Sequence, residues 1–525
     1  MPGQTEESRK RQKTPTAGTF HPYAIPASLS LQVVSHPLKI RPAGNLLLAR
    51  KETEEKLHMS MGDFYRFPEQ LIMDILGLLD SAADLGHMMC VSRFFYAFAS
   101  SDELWKQVYL RGERFDRWLG SWKESILRCK QSAIDCSIVH SDLLFVPYQN
   151  SQVDYSRLFE KIIITENKRR HQVMPASASI PYDLSIPRLD ENTMTASLFS
   201  QRFHDRPFIL KSTDPARWPA WTLDTLRARF PNTTFRQECV QWPLKLYAEY
   251  CASNQDESPL YLFDCNSEAM KQLKTEFVRP GVFSEDMFDV FTRHGYSCRP
   301  DHTWLIVGPH RSGSTFHKDP NSTSAWNTVL DGSKLWIMLP PDVTPPGVHT
   351  NEDESEVTSP LGLAEWVLSG FFNDTLKVAR AEQRCAIGIT FPGECLHVPA
   401  GWWHMVINLE DTVALTANFV PECKLEEVAR FFRKKQDQVS GFHPATVLEF
   451  VRRCVAAGEM DGGLLQKFGE VDSNDDIGEL DVQLPIYEIF ERLLQLNGKQ
   501  LKQHRSLWKS LTQQSTGFRF AIDIE

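Results

Sequence analysis

The chain predicts an α+β fold: a β-barrel with a polar interior, flanked by helices and preceded by a small all-α bundle. Three stretches carry that expectation. Thr412-Val-Ala-Leu-Thr-Ala-Asn-Phe419 alternates, so Thr412, Ala414, Thr416 and Asn418 share one face while Val413, Leu415, Ala417 and Phe419 share the other. A strand that is polar inside and apolar outside suits a barrel enclosing a polar ligand and covered from without. The runs Ala325 to Leu330 and Lys334 to Leu339 flank Asp331-Gly332-Ser333, a turn sequence that would bring Lys334 back beside the neighbouring strand. Finally, residues 67–105 place apolar side chains at three- and four-residue spacing, the mark of amphipathic helices.

Composition sets the bounds. A chain of 525 residues holds more than one domain, and 42% hydrophobic with 11% aromatic residues is enough for a real core. The formal net charge of -10 argues against polyanion binding in bulk. Eleven cysteines without a Cys-x-x-Cys pair indicate neither a disulfide framework nor a zinc ribbon. No apolar run approaches the ~20 residues of a spanning helix. The chain is therefore expected to be soluble and intracellular, with no membrane partner.

In order, residues 1–60 read as a disordered basic tail, in which Arg9-Lys10-Arg11-Gln12-Lys13 is either a nuclear localisation signal or a solvated cluster. Residues 61–110 read as a bundle of three short helices. Pro68 starts the first, which runs to Leu79; Asp84-Leu85 opens the second, which runs through Tyr96; and Leu104-Trp105 sits in the third. Residues 111–190 are a helical connector, with helices at Trp118 to Cys129 and Tyr155 to Lys168. The barrel region, 191–425, begins with helix, strand and helix (Ser197 to Lys211, Trp221 to Phe230), then a helix at Leu244 to Ala252 and a strand at Tyr261-Leu-Phe.

Within the barrel region, an insert at 341–383 carries an apolar helix at Leu363 to Leu368. It also carries the acidic run Asn351-Glu-Asp-Glu-Ser-Glu356, read as solvated surface ahead of a contact for a basic peptide. Residues 426–525 form a C-terminal helical region that either covers the barrel or supports a homodimer.

His317 and Asp319 are two apart, so on an extended strand both reach one ion. His404, between a Pro-Ala-Gly turn and the alternating run Met405 to Leu409, is the candidate third ligand. Two imidazoles and one carboxylate leave three positions open, the facial triad of non-haem Fe(II) oxygenases; structural zinc would be closed by four ligands. On the strand opened by Lys334, the ammonium shares a face with Trp336 and Met338 and needs an anionic partner. Trp402 and Trp403 read as packing residues, and His302, His310 and His397 as structural or exposed.

His317-x-Asp319 through His404, with Lys334 and Thr416, resembles the JmjC family of Fe(II)- and 2-oxoglutarate-dependent oxygenases, in its phosphatidylserine-receptor-like branch. Further carriers are Ser258-Pro-Leu-Tyr-Leu-Phe-Asp264, Gly308-Pro-His-Arg-Ser-Gly313, Thr323-Ser-Ala-Trp-Asn327, Gly393-Glu394 and Val398-Pro-Ala-Gly-Trp-Trp-His404. The resemblance spans about residues 190–425 and implies a double-stranded β-helix (jelly-roll, cupin) JmjC domain with flanking helices. It implies catalytic iron on His317, Asp319 and His404. Lys334 would be the cation, and Thr416 and Tyr261 the hydrogen-bond donors, for the distal carboxylate of 2-oxoglutarate. Asn327, Ser314 and Asn418 would line the same pocket, where orienting the cofactor and plain interior hydrogen bonding are equally open roles. O2 is the second co-substrate, and ascorbate an accessory reductant.

The implied reaction is lysyl hydroxylation or N-demethylation of lysine or arginine in a histone or other nuclear protein. The expected location is nuclear, or nuclear and cytoplasmic. Residues 61–110, with Phe67 at the first Leu position of a Leu-Pro, Ile-Leu, Asp-Leu, Val-Ser-Arg, Leu-Trp pattern, resemble an F-box. That implies docking onto a Skp1-type adaptor of a cullin ubiquitin ligase; an ordinary helical bundle is the alternative. Two other functions compete. One is a substrate adaptor with a non-catalytic cupin shell. The other is a JmjC hydroxylase of tRNA or other RNA, disfavoured by the acidic balance and the lack of a basic stripe interleaved with aromatics.

Overall fold

In chain order the main strands are β1 (Arg188–Asp190), β2 (Phe208–Lys211), β3 (Thr234–Gln237), β4 (Val240–Pro243), β5 (Leu262–Asp264), β6 (Thr303–Gly308), β7 (Gly313–His317), β8 (Ser324–Asp331), β9 (Lys334–Leu339), β10 (Ala386–Thr390), β11 (Glu394–Val398), β12 (Trp403–Asn408) and β13 (Thr412–Phe419). They come from a computed structural model that describes residues 61–130, 134–137, 139, 152–180, 182–256, 258–359, 362–468 and 484–497, with 23–25, 38 and 59. A nine-stranded sheet runs β1-β2-β11-β8-β13-β6-β5-β3-β4 and a four-stranded sheet runs β10-β9-β12-β7. From β6 onward the eight strands are shared between the two sheets, which face each other as a double-stranded β-helix.

The burial pattern follows from what covers each sheet. β9, β10 and β12 are buried at every position. Their outer faces carry Leu335, Ile337, Ile387, Ile389, Met405 and Ile407 into a core shared with the two helices of the insert, Leu363–Leu368 and Phe371–Glu382. Such strands read as continuous apolar runs. β13 alternates because its inner face lines a polar cavity while Val413, Leu415, Ala417 and Phe419 join the core outside.

Asp331-Gly332-Ser333 turns the chain, but the strands it joins do not pair. β8 lies in the large sheet; β9 lies in the small one, between β10 and β12. The β8–β13 ladder is irregular between Val329 and Asp331, which bends the strand end out of its sheet. Gly332 sits at φ +76, where an added Cβ would stand 2.2 Å from the Asp411 carbonyl oxygen. Only glycine fits that crossing.

The amino-terminal bundle has four helices where three were expected: α1 (Glu69–Gly77), α2 (Ala82–Met89), α3 (Arg93–Ala99) and α4 (Asp102–Arg111). The run from Asp84 to Tyr96 is split because Ser92 caps a new helix, accepting from the Phe95 N–H at 3.3 Å. Helix α3 buries every residue from Phe94 to Ala99. α5 (Trp122–Leu127) then leads to the barrel.

Bundle and barrel meet in one aromatic seam. Tyr109 of α4 accepts from the Trp242 indole of β4 at 2.8 Å, and Trp122 packs 5.4 Å from both rings. The Trp122 indole and the Tyr250 hydroxyl both donate to Asp256, at 2.9 and 2.8 Å. Trp105, Trp122 and Trp242 are fully buried, each contributing about 1.5–3 kcal/mol or more of burial.

The connector helix α6 (Glu160–Arg169) is tied to the sheets by a buried ion triad. Arg188 donates to Glu166 and to Glu394 at 2.9 Å each, and to the Ile389 carbonyl at 2.7 Å. α7 (Leu244–Ser253) packs behind the large sheet, and the insert forms α8 (Leu363–Leu368) and α9 (Phe371–Glu382). Part of the tail expected to lack structure is fixed here: Tyr23 and Ile25 are buried, and Ile25 exchanges two 2.9 Å bonds with the Asn373 amide of α9. The basic cluster at 9–13 lies outside the described residues, as does an acidic loop expected within the C-terminal helical region at 470–481. α10 (Leu425–Lys434), α11 (Pro444–Ala456) and α12 (Ile486–Leu496) build a third core around Phe288, Phe291, Phe432, Phe442 and Phe490. No helix among the described residues is long and apolar enough to cross a membrane.

Candidate metal and co-substrate site

β7 and β12 are antiparallel neighbours, and their register sets His317 opposite His404. The ring centroids stand 4.1 Å apart. Asp319 lies just past the end of β7, yet its backbone is still extended (φ -64, ψ 146) as it opens the turn Pro320–Ser322, so it faces as His317 does. One donor atom from each of the three residues lies within 4.8 Å of the others, the only such group among the described residues.

Each imidazole is oriented by the carbonyl two residues before it. His317 Nδ1 donates to Thr315 O at 2.8 Å, and His404 Nδ1 donates to Trp402 O at 3.1 Å. A carbonyl only accepts, so Nδ1 carries the proton and Nε2 remains for a metal. Burial, aided by His317, pulls the His404 imidazolium far below its usual range. Burial also pushes the Asp319 carboxyl above its usual range, against the opposing pull of His317 and the Asn418 amide. Asp319 Oδ2 is buried without a hydrogen-bond partner. An orphaned carboxylate oxygen beside two preoriented imidazoles fits a divalent cation, which would lower that carboxyl again.

All nine sequence-predicted site residues line one cavity of about 380 Å³: Tyr261, Ser314, His317, Asp319, Asn327, Lys334, His404, Thr416 and Asn418. Lys334 projects from β9 and donates to the Tyr261 hydroxyl, which arrives from the opposite sheet, at 2.7 Å. Gly308 makes room for that ring, since a Cβ there would come within 2.4 Å of it. Lys334 is fully enclosed, and burial brings its ammonium down to about 7. The Thr416 hydroxyl, expected to point at a carboxylate, donates to Trp326 O at 2.8 Å, so serving a ligand requires it to rotate. Asn418 donates to Thr323 Oγ1 at 2.9 Å, while Asn327 Oδ1 is buried without a partner.

Sequence reasoning missed Asn408. It pairs with Lys334 in the β9–β12 ladder, donates to Ser312 Oγ at 2.9 Å, and leaves Oδ1 buried and unpartnered behind Tyr261. Its only sequence signal was the alternation of Met405 to Leu409. The expectation of a solvated acidic run is corrected at Glu354, which pairs with Lys318 at 2.8 Å. His397 is fully buried among Phe199, Phe208 and Phe283 on the outer face of β11, and burial drops its imidazole to about 3.

The donor set and its neighbouring cation thus fit iron and a dicarboxylate keto acid. Bound there, iron and 2-oxoglutarate supply O2 activation coupled to decarboxylation of the co-substrate. The chain's own residues would hold such a group: His317, Asp319 and His404 offer the donor atoms, Lys334 and Tyr261 would face a distal carboxylate, and Trp336, Ile306, Val398 and Val406 give the cavity apolar walls.

The cupin-like domain family matches residues 202–424, and the F-box-like family matches 64–111. The chain is 32% identical to the arginine-specific demethylase JMJ22 of Arabidopsis thaliana over 79% of both chains. It is 33% identical to the bifunctional arginine demethylase and lysyl-hydroxylase psr-1 of Caenorhabditis elegans, over 47% of this chain and 64% of that one. It is 27% identical to the 2-oxoglutarate and iron-dependent oxygenase JMJD4 of Mus musculus, over 40% and 47%. With its triad, buried lysine and jelly-roll in place, the chain belongs to the JmjC cupin-like oxygenases of the phosphatidylserine-receptor-like branch, with an F-box-like domain ahead of the cupin.

Proposed function

We propose that this oxygenase acts on basic side chains of proteins, removing N-methyl groups from arginine or lysine or hydroxylating lysine. The observation that carries the reading is the convergence of His317, Asp319, His404 and Lys334 on one cavity. The names of JMJ22 and psr-1 supply the substrate class. Hydroxylating an N-methyl carbon gives a carbinolamine that breaks down to formaldehyde and the demethylated nitrogen, so both outcomes use one C–H oxidation. The basic cluster at Arg9 to Lys13 supports a nuclear protein, a histone among the candidates, as substrate, and a nuclear or shared nuclear and cytoplasmic location.

The test is purified protein with Fe(II), 2-oxoglutarate, ascorbate and methylated or unmethylated basic peptides. Succinate should form with a peptide mass change of +16 or -14 Da, roughly the mass of one oxygen gained or one CH2 lost, and His317→Ala should stop both. Equal turnover by His317→Ala would defeat the reading.

A second partner is supported by the F-box-like bundle. Phe67, Leu71, Leu78, Val91 and Leu110 are exposed apolar side chains on it, a surface suited to a Skp1-type adaptor of a cullin ubiquitin ligase. Co-purification with such an adaptor is the check. A non-catalytic adaptor would have no use for four converging polar groups of this kind, two of them, Lys334 and His404, buried.

A further inference from the structure

The ladder between β7 and β12 ends at the pair His317 and His404, and its register slips between His404 and Val406. Lys318 and the ligand Asp319 therefore lie beyond the sheet's hydrogen bonding, at a point where the strand is already irregular. The side chain of Lys318 points out of the cavity and is pinned on three sides. Its ammonium donates to both carboxylate oxygens of Glu354 at 2.8 Å and to the Pro341 carbonyl at 3.3 Å. It also stands 4.6 Å from the ring of Trp403, the residue before His404.

Glu354 belongs to the insert and sits in the left-handed region at φ +60, a conformation that persists only where the surroundings hold it. They do so here: its N–H donates to Asn351 O at 3.2 Å, Glu356 N–H donates to Asn351 Oδ1 at 3.0 Å, and Lys435 from the C-terminal bundle donates to Asp353 O. One amine thus joins the insert to residues adjoining all three donors. An isolated surface pair would do little, but the Lys318 side chain is only 20% exposed and rests on a buried indole.

We propose that Lys318 is a positioning residue for the metal: its clasp on Glu354 and Trp403 fixes the backbone between His317 and Asp319, so the 351–356 loop sets how tightly the triad holds its ion. The proposal rests on the reading of the triad as an iron site. It is tested on the full chain with Mn(II), a stand-in that does not oxidise, by titration calorimetry in the presence of 2-oxoglutarate.

Lys318→Met and Glu354→Gln should each weaken Mn(II) binding about tenfold, the lower end of what outer-shell partners contribute. The double variant should be no weaker than Lys318→Met, because both changes remove the same clasp. Lys318→Arg, which keeps charge and stacking, should stay within about twofold of the parent. Hydrogen exchange at 316–319 should quicken in Glu354→Gln. Glu354 lies in a partly exposed loop, so that variant keeps the test open if Lys318→Met misfolds. A folded Glu354→Gln with parental Mn(II) affinity would overturn the proposal alone; a parent chain that binds no Mn(II) would overturn the iron reading and the proposal with it.

Discussion

Lys334 Nζ and the Tyr261 hydroxyl, 2.7 Å apart, reach across the cavity from opposite sheets. The ammonium can only donate, so the phenol oxygen accepts, and its proton can turn to a ligand carboxylate in place of the neighbouring Asn408 amide. Tyr261→Phe is therefore expected to raise the KM for 2-oxoglutarate about tenfold or more, the loss of a charge-assisted hydrogen bond of ~1.5–3 kcal/mol. kcat at saturation should change little, since the contact is made equally before and during chemistry. Initial rates of succinate release measure both.

The same pair makes co-substrate binding pH-dependent. In the ligand-free site Lys334 titrates near 7, because burial disfavours its charge. A bound carboxylate favours the ammonium and raises that value, so above pH 7 binding takes up a proton. Affinity for 2-oxoglutarate should fall as pH rises from 7 to 9, by up to about tenfold per unit. Calorimetry in buffers of different ionisation enthalpy checks it; a flat profile would contradict a Lys334 anchor.

Metal should stabilise the fold through the triad. At about 100 times its Kd, an ion binding only the native state adds ~2.7 kcal/mol, enough to raise Tm by a few degrees. EDTA should reverse the shift, and Asp319→Ala should abolish it. Thermal melts with and without Mn(II) decide.

The two faces of the F-box-like bundle should respond differently. Leu78 and Val91 are 77% and 61% exposed, so Leu78→Glu with Val91→Glu should move stability by no more than about 0.5 kcal/mol per site and leave succinate formation intact while breaking adaptor co-purification. Trp122→Ala, in the seam, should cost about 3–5 kcal/mol and unfold both parts.

The sequence displayed the barrel and its site well because both follow from alternation and ligand spacing. β13 has the predicted bounds, Thr412–Phe419, since a strand facing a polar cavity shows its period. Helix α9 stayed hidden because Phe371 to Glu382 begins at Gly370 with no side-chain cap and follows α8 almost directly. The pairing implied by Asp331-Gly332 was misread because turn chemistry does not say which sheet receives the next strand. Glu354 looked like solvated charge because its partners, Lys318 and Lys435, are distant in sequence. Asn408 was legible only as a polar position in an apolar run; its place beside Lys334 needs the register of β9 and β12.

Because Tyr109, Trp122 and Trp242 form one uninterrupted core between bundle and barrel, neither part is a detachable module. Calorimetry should record a single endotherm across residues 61–425, and excising the bundle should yield an insoluble remainder. Whatever grips α1 to α4 would carry the oxygenase at the bearing that this seam sets.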